Sequence, residues 1–98
     1  MLYFSSMDYE LAVVIDGEAS SAKKKAVREG VEKMVKLYKG KVKKVHDWGK
    51  KELAYKIKKK STGNYMIFDL ELGSSAASEL NERLRLEEGI LRHLIVKN

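Results

Sequence analysis

Few side chains in this sequence are equipped for covalent chemistry. It has two histidines, His46 and His93, and no cysteine, so a thiolate nucleophile, a disulfide and a thiolate metal site are all absent. His46 beside Asp47 has the look of an orienting pair. A nucleophile or a metal needs further partners at fixed geometry, however, and the sequence offers none. His93 alternates with apolar residues near the end of the chain, the pattern of a structural histidine. Asp69 and Glu71 fall on the same face of one extended segment, and two carboxylates on a strand are more often a solvent edge than an acid–base pair. Lys60-Ser61-Thr62-Gly63 is poor in glycine and precedes a strand pattern rather than a helix, so it fails the phosphate-loop signature. No enzyme, metal or cofactor is expected.

The chemistry for which the chain is equipped is anion binding. Its net charge is +6 over 98 residues. Between residues 39 and 60 stand ten lysines, opposed only by Asp47 and Glu52, so that window carries +8 and the remainder sums to −2. A solvated lysine face has the same composition; the functional reading is a strip that neutralises phosphates. A small, basic, cysteine-free domain puts nucleic acid first among partners. The lack of cysteine fits a reducing compartment. The longest apolar run, Leu11-Ala12-Val13-Val14-Ile15, is far short of the roughly 20 residues that cross a bilayer as a helix.

A chain of this length makes one domain and buries roughly 60–65% of its unfolded surface. Residues 1–6 read as an N-terminal extension or cloning remnant, without the charged start and apolar stretch of a signal peptide. The domain is residues 7–98. Tyr9, Leu11, Val13 and Ile15 alternate as in a strand. After Asp16-Gly17, Ser20 or Ser21 caps a helix. Its apolar stripe is Ala26, Val27, Gly30, Val31, Met34, Val35 and Tyr38. Gly40 is the expected left-handed stop. Residues 41–57 are extended, with a bulge between Val42 and Val45 or near Trp48-Gly49, because Val42 and Val45 are out of step. Residues 58–64 read as a hairpin loop. Met66, Phe68, Leu70 and Leu72 alternate in the next strand. A second helix follows with Ala76, Ala77, Leu80 and Leu84 on one stripe, ended by Gly89, and residues 90–97 form the last strand. The order strand, helix, strand, strand, helix, strand, with right-handed crossovers, closes most simply as an α+β, ferredoxin-like sandwich: a four-stranded antiparallel sheet with both helices on one face. The other face is bare, and Tyr65 and Ile67 point into it with one set of residues from the last strand. The expected core is Leu11, Val13, Val31, Val35, Phe68, Leu70, Leu80, Leu84 and Ile95.

Gly49-Lys50-Lys51-Glu52-Leu53-Ala54-Tyr55-Lys56-Ile57-Lys58 resembles the signature of the bacterial small-subunit ribosomal protein six family. That signature is a glycine, any residue, a basic and a polar residue, Leu-Ala-Tyr, any residue, isoleucine, and a basic or polar residue. Asp47-Trp48, Tyr9-Glu10, Leu84-Arg85-Leu86 and Gly89-Ile90-Leu91-Arg92-His93 extend the resemblance over about residues 7–97. Three features depart from the family pattern. Lys56 stands where many members have proline, Glu87-Glu88 replaces an asparagine or aspartate pair, and the chain stops at Asn98 where many relatives continue into a tail.

The resemblance implies a structural protein of the small ribosomal subunit, located on the cytoplasmic ribosome. Such a protein binds the central domain of small-subunit ribosomal RNA together with small-subunit ribosomal protein eighteen. On that reading Lys50, Lys51, Lys56 and Lys58 neutralise phosphates, and Arg92 does so with its planar fork. Tyr55 either stacks on an unpaired base or packs in the core. Arg85 either contacts RNA or bridges to Glu82 or Glu88. Trp48 is a partner contact or a packed bulge rather than a base platform, Tyr65 and Ile67 face the protein partner, and Gly49 serves backbone geometry at the bulge, where a side chain would clash. Two other readings stay open: a protein–protein module of the same fold, which the lysine cluster argues against, and an engineered variant of the ribosomal fold, at which the absence of proline and the odd first six residues hint.

Overall fold

In the computed structural model, which describes residues 7–97, alternation and helical spacing become six elements. They are β1 (Met7–Asp16), α1 (Ser21–Leu37), β2 (Lys41–Ile57), β3 (Lys60–Leu72), α2 (Ser74–Leu84) and β4 (Arg92–Lys97). The N-terminal extension inferred for residues 1–6 lies outside the described residues. The sheet order is β2-β3-β1-β4, and every pairing is antiparallel. This is the expected ferredoxin-like topology.

The core forms where the apolar face of the sheet meets the helices. Leu11, Val13 and Ile15 of β1 and Phe68 and Leu70 of β3 are fully buried there, against Val31 and Val35 of α1 and Leu80 and Leu84 of α2. Leu11 lies opposite Phe68 and Val13 opposite Met66, so the parity expected for both central strands holds. Ile95 is only partly buried, because β4 is an edge strand and α2 covers it from one side. Ala26 is exposed: the buried positions of α1 are Val31, Met34 and Val35, with Val27 half-buried, so the first turns of the helix stand clear of the core.

Ser20 caps α1, its Oγ accepting from the Lys23 amide at 3.1 Å, which satisfies one of the free donors of the first turn. The other end corrects the expectation for Gly40. The left-handed residue is Lys39, at φ 63°. The Lys39 amide donates to the Lys36 carbonyl (2.9 Å) and the Gly40 amide to the Val35 carbonyl (2.8 Å), the paired bonds of a Schellman ending. Gly40 is required for a different reason. A Cβ there would lie 2.6 Å from Leu72 Cδ2 and 3.0 Å from both the Glu71 carbonyl oxygen and Val35 Cγ1.

Two other boundaries differ from expectation. Helix α2 ends at Leu84, five residues before Gly89, and Arg85 caps it in ordinary helical geometry. Ile90 precedes the last strand and is buried outside it. The expected hairpin loop over residues 58–64 is a two-residue turn, Lys58-Lys59, with φ 49° and 67°. Both are positive, as the tightest hairpin turns demand to match strand twist. The sequence conceals this because neither residue is glycine, asparagine or aspartate.

Candidate nucleic-acid interface

The signature segment lies where β2 departs most from regular pairing. β2 shifts register against β3 between Val42 and Lys44, between Asp47 and Gly49, and between Glu52 and Ile57. The first two shifts fall at the two places between which the sequence left a single bulge, so both are used. Gly49 has φ 78° with open space around the position of a Cβ. The glycine therefore serves the backbone geometry of the bulge, as expected, but through its positive φ and not through a clash. The third shift is larger. Glu52 faces Thr62 and Ile57 faces Lys60, so Leu53, Ala54, Tyr55 and Lys56 stand against Ser61 alone. Asp16, the last residue of β1, lies opposite Gly63, and Gly63 opposite Lys51. Beyond that point the β2–β3 hairpin is a two-stranded ribbon with no third strand beside it.

This excess of residues bends the ribbon back over the bare face of the sheet. In a flat sheet β4 would lie about 14 Å from β2. Instead Arg92 Nη1 donates to the Tyr55 hydroxyl at 2.8 Å. Tyr55 is 64% exposed, which rules out the core-packing role. Beneath the Tyr55–Arg92 contact is a shallow pocket whose lining includes Ala12, Val14, Leu53, Ile57, Tyr65 and Leu94. An accessible aromatic ring, an arginine fork and an apolar floor share one surface. That combination suits an unstacked base and its phosphate.

The lysine strip divides into two halves. At the Met7 end of the sheet, Lys41 faces Glu71 and Lys44 faces Asp69 in the register, and Lys43 Nζ donates to Asp8 at 2.9 Å. Asp8 raises the pKa of Lys43 through that bond and its charge. His46 Nε2 lies 3.2 Å from Asp69 Oδ2, so its partner is Asp69 and not the adjacent Asp47. Of these lysines Lys43 is bridged to a carboxylate, and Lys41 and Lys44 lie opposite carboxylates in the register. At the other end, Lys50 bridges to Glu18 at 2.7 Å and Lys60 to Asp16 at 3.1 Å. The Glu18 amide and then Lys60 hold the Asp16 carboxyl below the usual range. Among the described residues, Lys51, Lys56, Lys58 and Lys59 meet no carboxylate. The ribbon therefore carries four cations without an ion-pair partner among the described residues, while Lys41 and Lys44 at the other end lie opposite carboxylates in the register.

The structure brings together Lys51, Tyr55, Lys56, Lys58 and Arg92 and leaves other candidates apart. Lys50 belongs to a bridge. Arg85 belongs to the helical layer, 3.9 Å from Glu82 in an exposed pair. Trp48 is 59% exposed at its bulge. Tyr65 lies on the bare face and is half-buried. Ile67 shares that face but is only 7% exposed, so it offers little surface. Sequence reasoning missed Lys59, the lining of Val14 and Leu53, and the exposed apolar surface of Leu94 and Val96 on β4. The period-two pattern of β4 was the available signal for the last pair. His93 turns to the helical side, with Nε2 2.9 Å from Asn81 Oδ1. Burial, reinforced by the charge of Arg85, lowers its pKa, as expected of a structural histidine. No cluster of metal-ligating side chains and no helix able to cross a membrane occurs among the described residues.

Comparison with known proteins agrees with this architecture. The family model for ribosomal protein S6 matches residues 8–97. The small ribosomal subunit protein bS6 of Streptomyces griseus is 34% identical over 89 residues, covering 91% of this chain and 93% of that protein. The bS6 protein of Dehalococcoides mccartyi is 32% identical, covering 91% and 82% respectively. A crystal structure of 30S ribosomal protein S6 from Thermotoga maritima superposes with a TM-score of 0.87 at 25% identity, over 96% of this chain and 89% of that one. A family match across nearly all of the domain, joined to the same fold, means that the chain belongs to the ribosomal protein S6 family, a family of structural proteins of the small ribosomal subunit and not of enzymes.

Proposed function

We propose that this protein binds the central domain of small-subunit ribosomal RNA together with small-subunit ribosomal protein eighteen. The observation that carries the reading is the bent ribbon. Its three-residue excess exposes Tyr55 beside Arg92, and among the described residues Lys51, Lys56, Lys58 and Lys59 form no ion pair, whereas Lys43 and Lys50 of β2 are bridged to carboxylates. In this reading Lys51, Lys56, Lys58 and Lys59 neutralise phosphates, Arg92 grips a phosphate with its fork, and Tyr55 stacks on a base. Lys50 serves the same phosphates when RNA displaces Glu18, and Arg85 is a peripheral contact. The protein partner covers exposed apolar surface: Trp48 at the bulge, and Tyr65, Leu94 and Val96 on the sheet face, with Ile67 beneath. No cofactor or small-molecule substrate takes part.

The test is a titration of labelled central-domain RNA with and without protein eighteen, at several salt concentrations. Lys51→Gln/Lys56→Gln/Lys58→Gln should lower the slope of log affinity against log salt by roughly two to three. Its folding should hardly change, because exposed charges contribute little. Unchanged affinity at low salt in that variant, with folding retained, would mean that the ribbon lysines are only a solvated face.

A further inference from the structure

The second concentration of unmatched charge lies on the helical side of the molecule. Between residues 23 and 60 stand sixteen lysines and arginines against four carboxylates. Elsewhere in the chain four cations face ten carboxylates. In the fold this segment is α1 and the edge strand β2, which pack together, while α2 packs on β4 at the other edge. The molecule is therefore positive along its α1–β2 edge. Lys23, Lys24 and Lys25 crowd the start of α1, and its first turn contains no carboxylate. That arrangement opposes the helix dipole, whose positive end lies there, so nothing in the helix itself favours it.

These side chains border a groove. Ser21, Lys24, Lys25 and Arg28 form its α1 wall, and Val45 and Met66 line its sheet side. One carboxylate, Asp47, also faces the groove. Lys24 bridges to it at 3.0 Å and holds its carboxyl below the usual range, aided by the Gly49 amide and the charge of Arg28. The Asp47 charge is thus already matched by Lys24, and the bridge pins α1 to the edge of β2. Among the described residues, Lys25 and Arg28 form no ion pair, although the charge of Arg28 reaches Asp47.

We infer that the groove between α1 and β2 is a second contact for the phosphodiester backbone of RNA, separate from the ribbon. Lys25 and Arg28 neutralise successive phosphates, with the Ser21 hydroxyl donating to a phosphate oxygen. The contact rests on the RNA-binding reading above and extends it around the β2 edge to the helical layer. It reads backbone and not bases, since only cations and a hydroxyl reach the ligand.

The test compares two variants of equal charge, Lys25→Gln/Arg28→Gln in the groove and Lys33→Gln/Lys36→Gln farther along the same helix. Each is titrated with labelled central-domain RNA in the presence of protein eighteen, at salt from 50 to 200 mM. The groove variant should lower the salt slope by about 1.4–1.8, at 0.7–0.9 per phosphate, and the control by under about a third of that. The groove loss should add to the loss in the ribbon variant. Equal slopes for the two double variants would mean a general charge effect and would overturn the inference. So would a groove variant that binds RNA as the parent does while the ribbon variant is impaired; that pattern leaves the RNA-binding reading standing. A parent protein that binds no RNA removes both. If the groove variant weakens binding to protein eighteen without RNA, the groove is a protein contact and the inference is wrong.

Discussion

Replacing Lys58-Lys59 with Asn-Gly asks whether the tip of the ribbon is shaped for stability or for its partner. Both lysines sit at positive φ, 49° and 67°, where a side chain with a Cβ is strained by about 1–2 kcal/mol. Asparagine tolerates that region and glycine enters it freely. Part of the relief is offset, because glycine adds roughly 0.5–1 kcal/mol of unfolded-chain entropy. The net gain should be about 1 kcal/mol, or roughly 4–8 °C in the melting midpoint of a domain this size. The same change removes two cations that meet no carboxylate among the described residues. If each contacts a phosphate, the salt slope falls by about 1.4–1.8. Over a fourfold range of salt, that slope change makes the affinity deficit about tenfold larger at 50 mM than at 200 mM. Urea melts and anisotropy titrations against central-domain RNA with protein eighteen measure the two effects on one preparation. A more stable protein with weakened, less salt-sensitive binding supports the reasoning. A lower melting midpoint would refute the strained turn, and an unchanged slope would refute the phosphate contacts.

Other changes probe the remaining structure. Phe68→Ala, at a fully buried position, should cost roughly 3–5 kcal/mol in a chemical melt, and a loss under about 1 kcal/mol would contradict its burial. Gly40→Ala should destabilise by about 1–3 kcal/mol through overpacking, whereas Lys39→Gly should be neutral or stabilising; the reverse order would restore Gly40 as the left-handed stop. Tyr55→Ala should weaken RNA binding without altering the salt slope, and should leave the melting midpoint nearly unchanged because the ring is exposed. His93 has a lowered pKa in the fold, so the unfolded chain binds a proton first as the pH falls. Its contribution to stability is present above about pH 6.5 and is lost as the pH drops through the lower folded value. Melts at pH 7.5 and 5 should show a smaller pH effect in His93→Gln than in the parent.

Local pattern alone determined the element order, the parity of β1 and β3 and the helix stripes, because burial of one face imposes period two on a strand and about 3.6 on a helix. It placed Leu11 against the core and Tyr65 on the bare face. The signature around Leu53-Ala54-Tyr55 was equally legible, since it is a contiguous run. The tertiary structure decided what distance along the chain hides. Tyr55 and Arg92 are 37 positions apart and meet only because the β2 excess bends the ribbon across the sheet. Lys43 and Lys58 look alike in sequence, yet Asp8 pairs with the first and, among the described residues, no carboxylate pairs with the second. Gly40 shows the same division: its type suggested backbone freedom, and its neighbours on β3 and α1 reveal that space is what it supplies. Which charges are free, and which glycine is crowded, depend on residues brought close by the fold, and a one-dimensional pattern does not contain those distances.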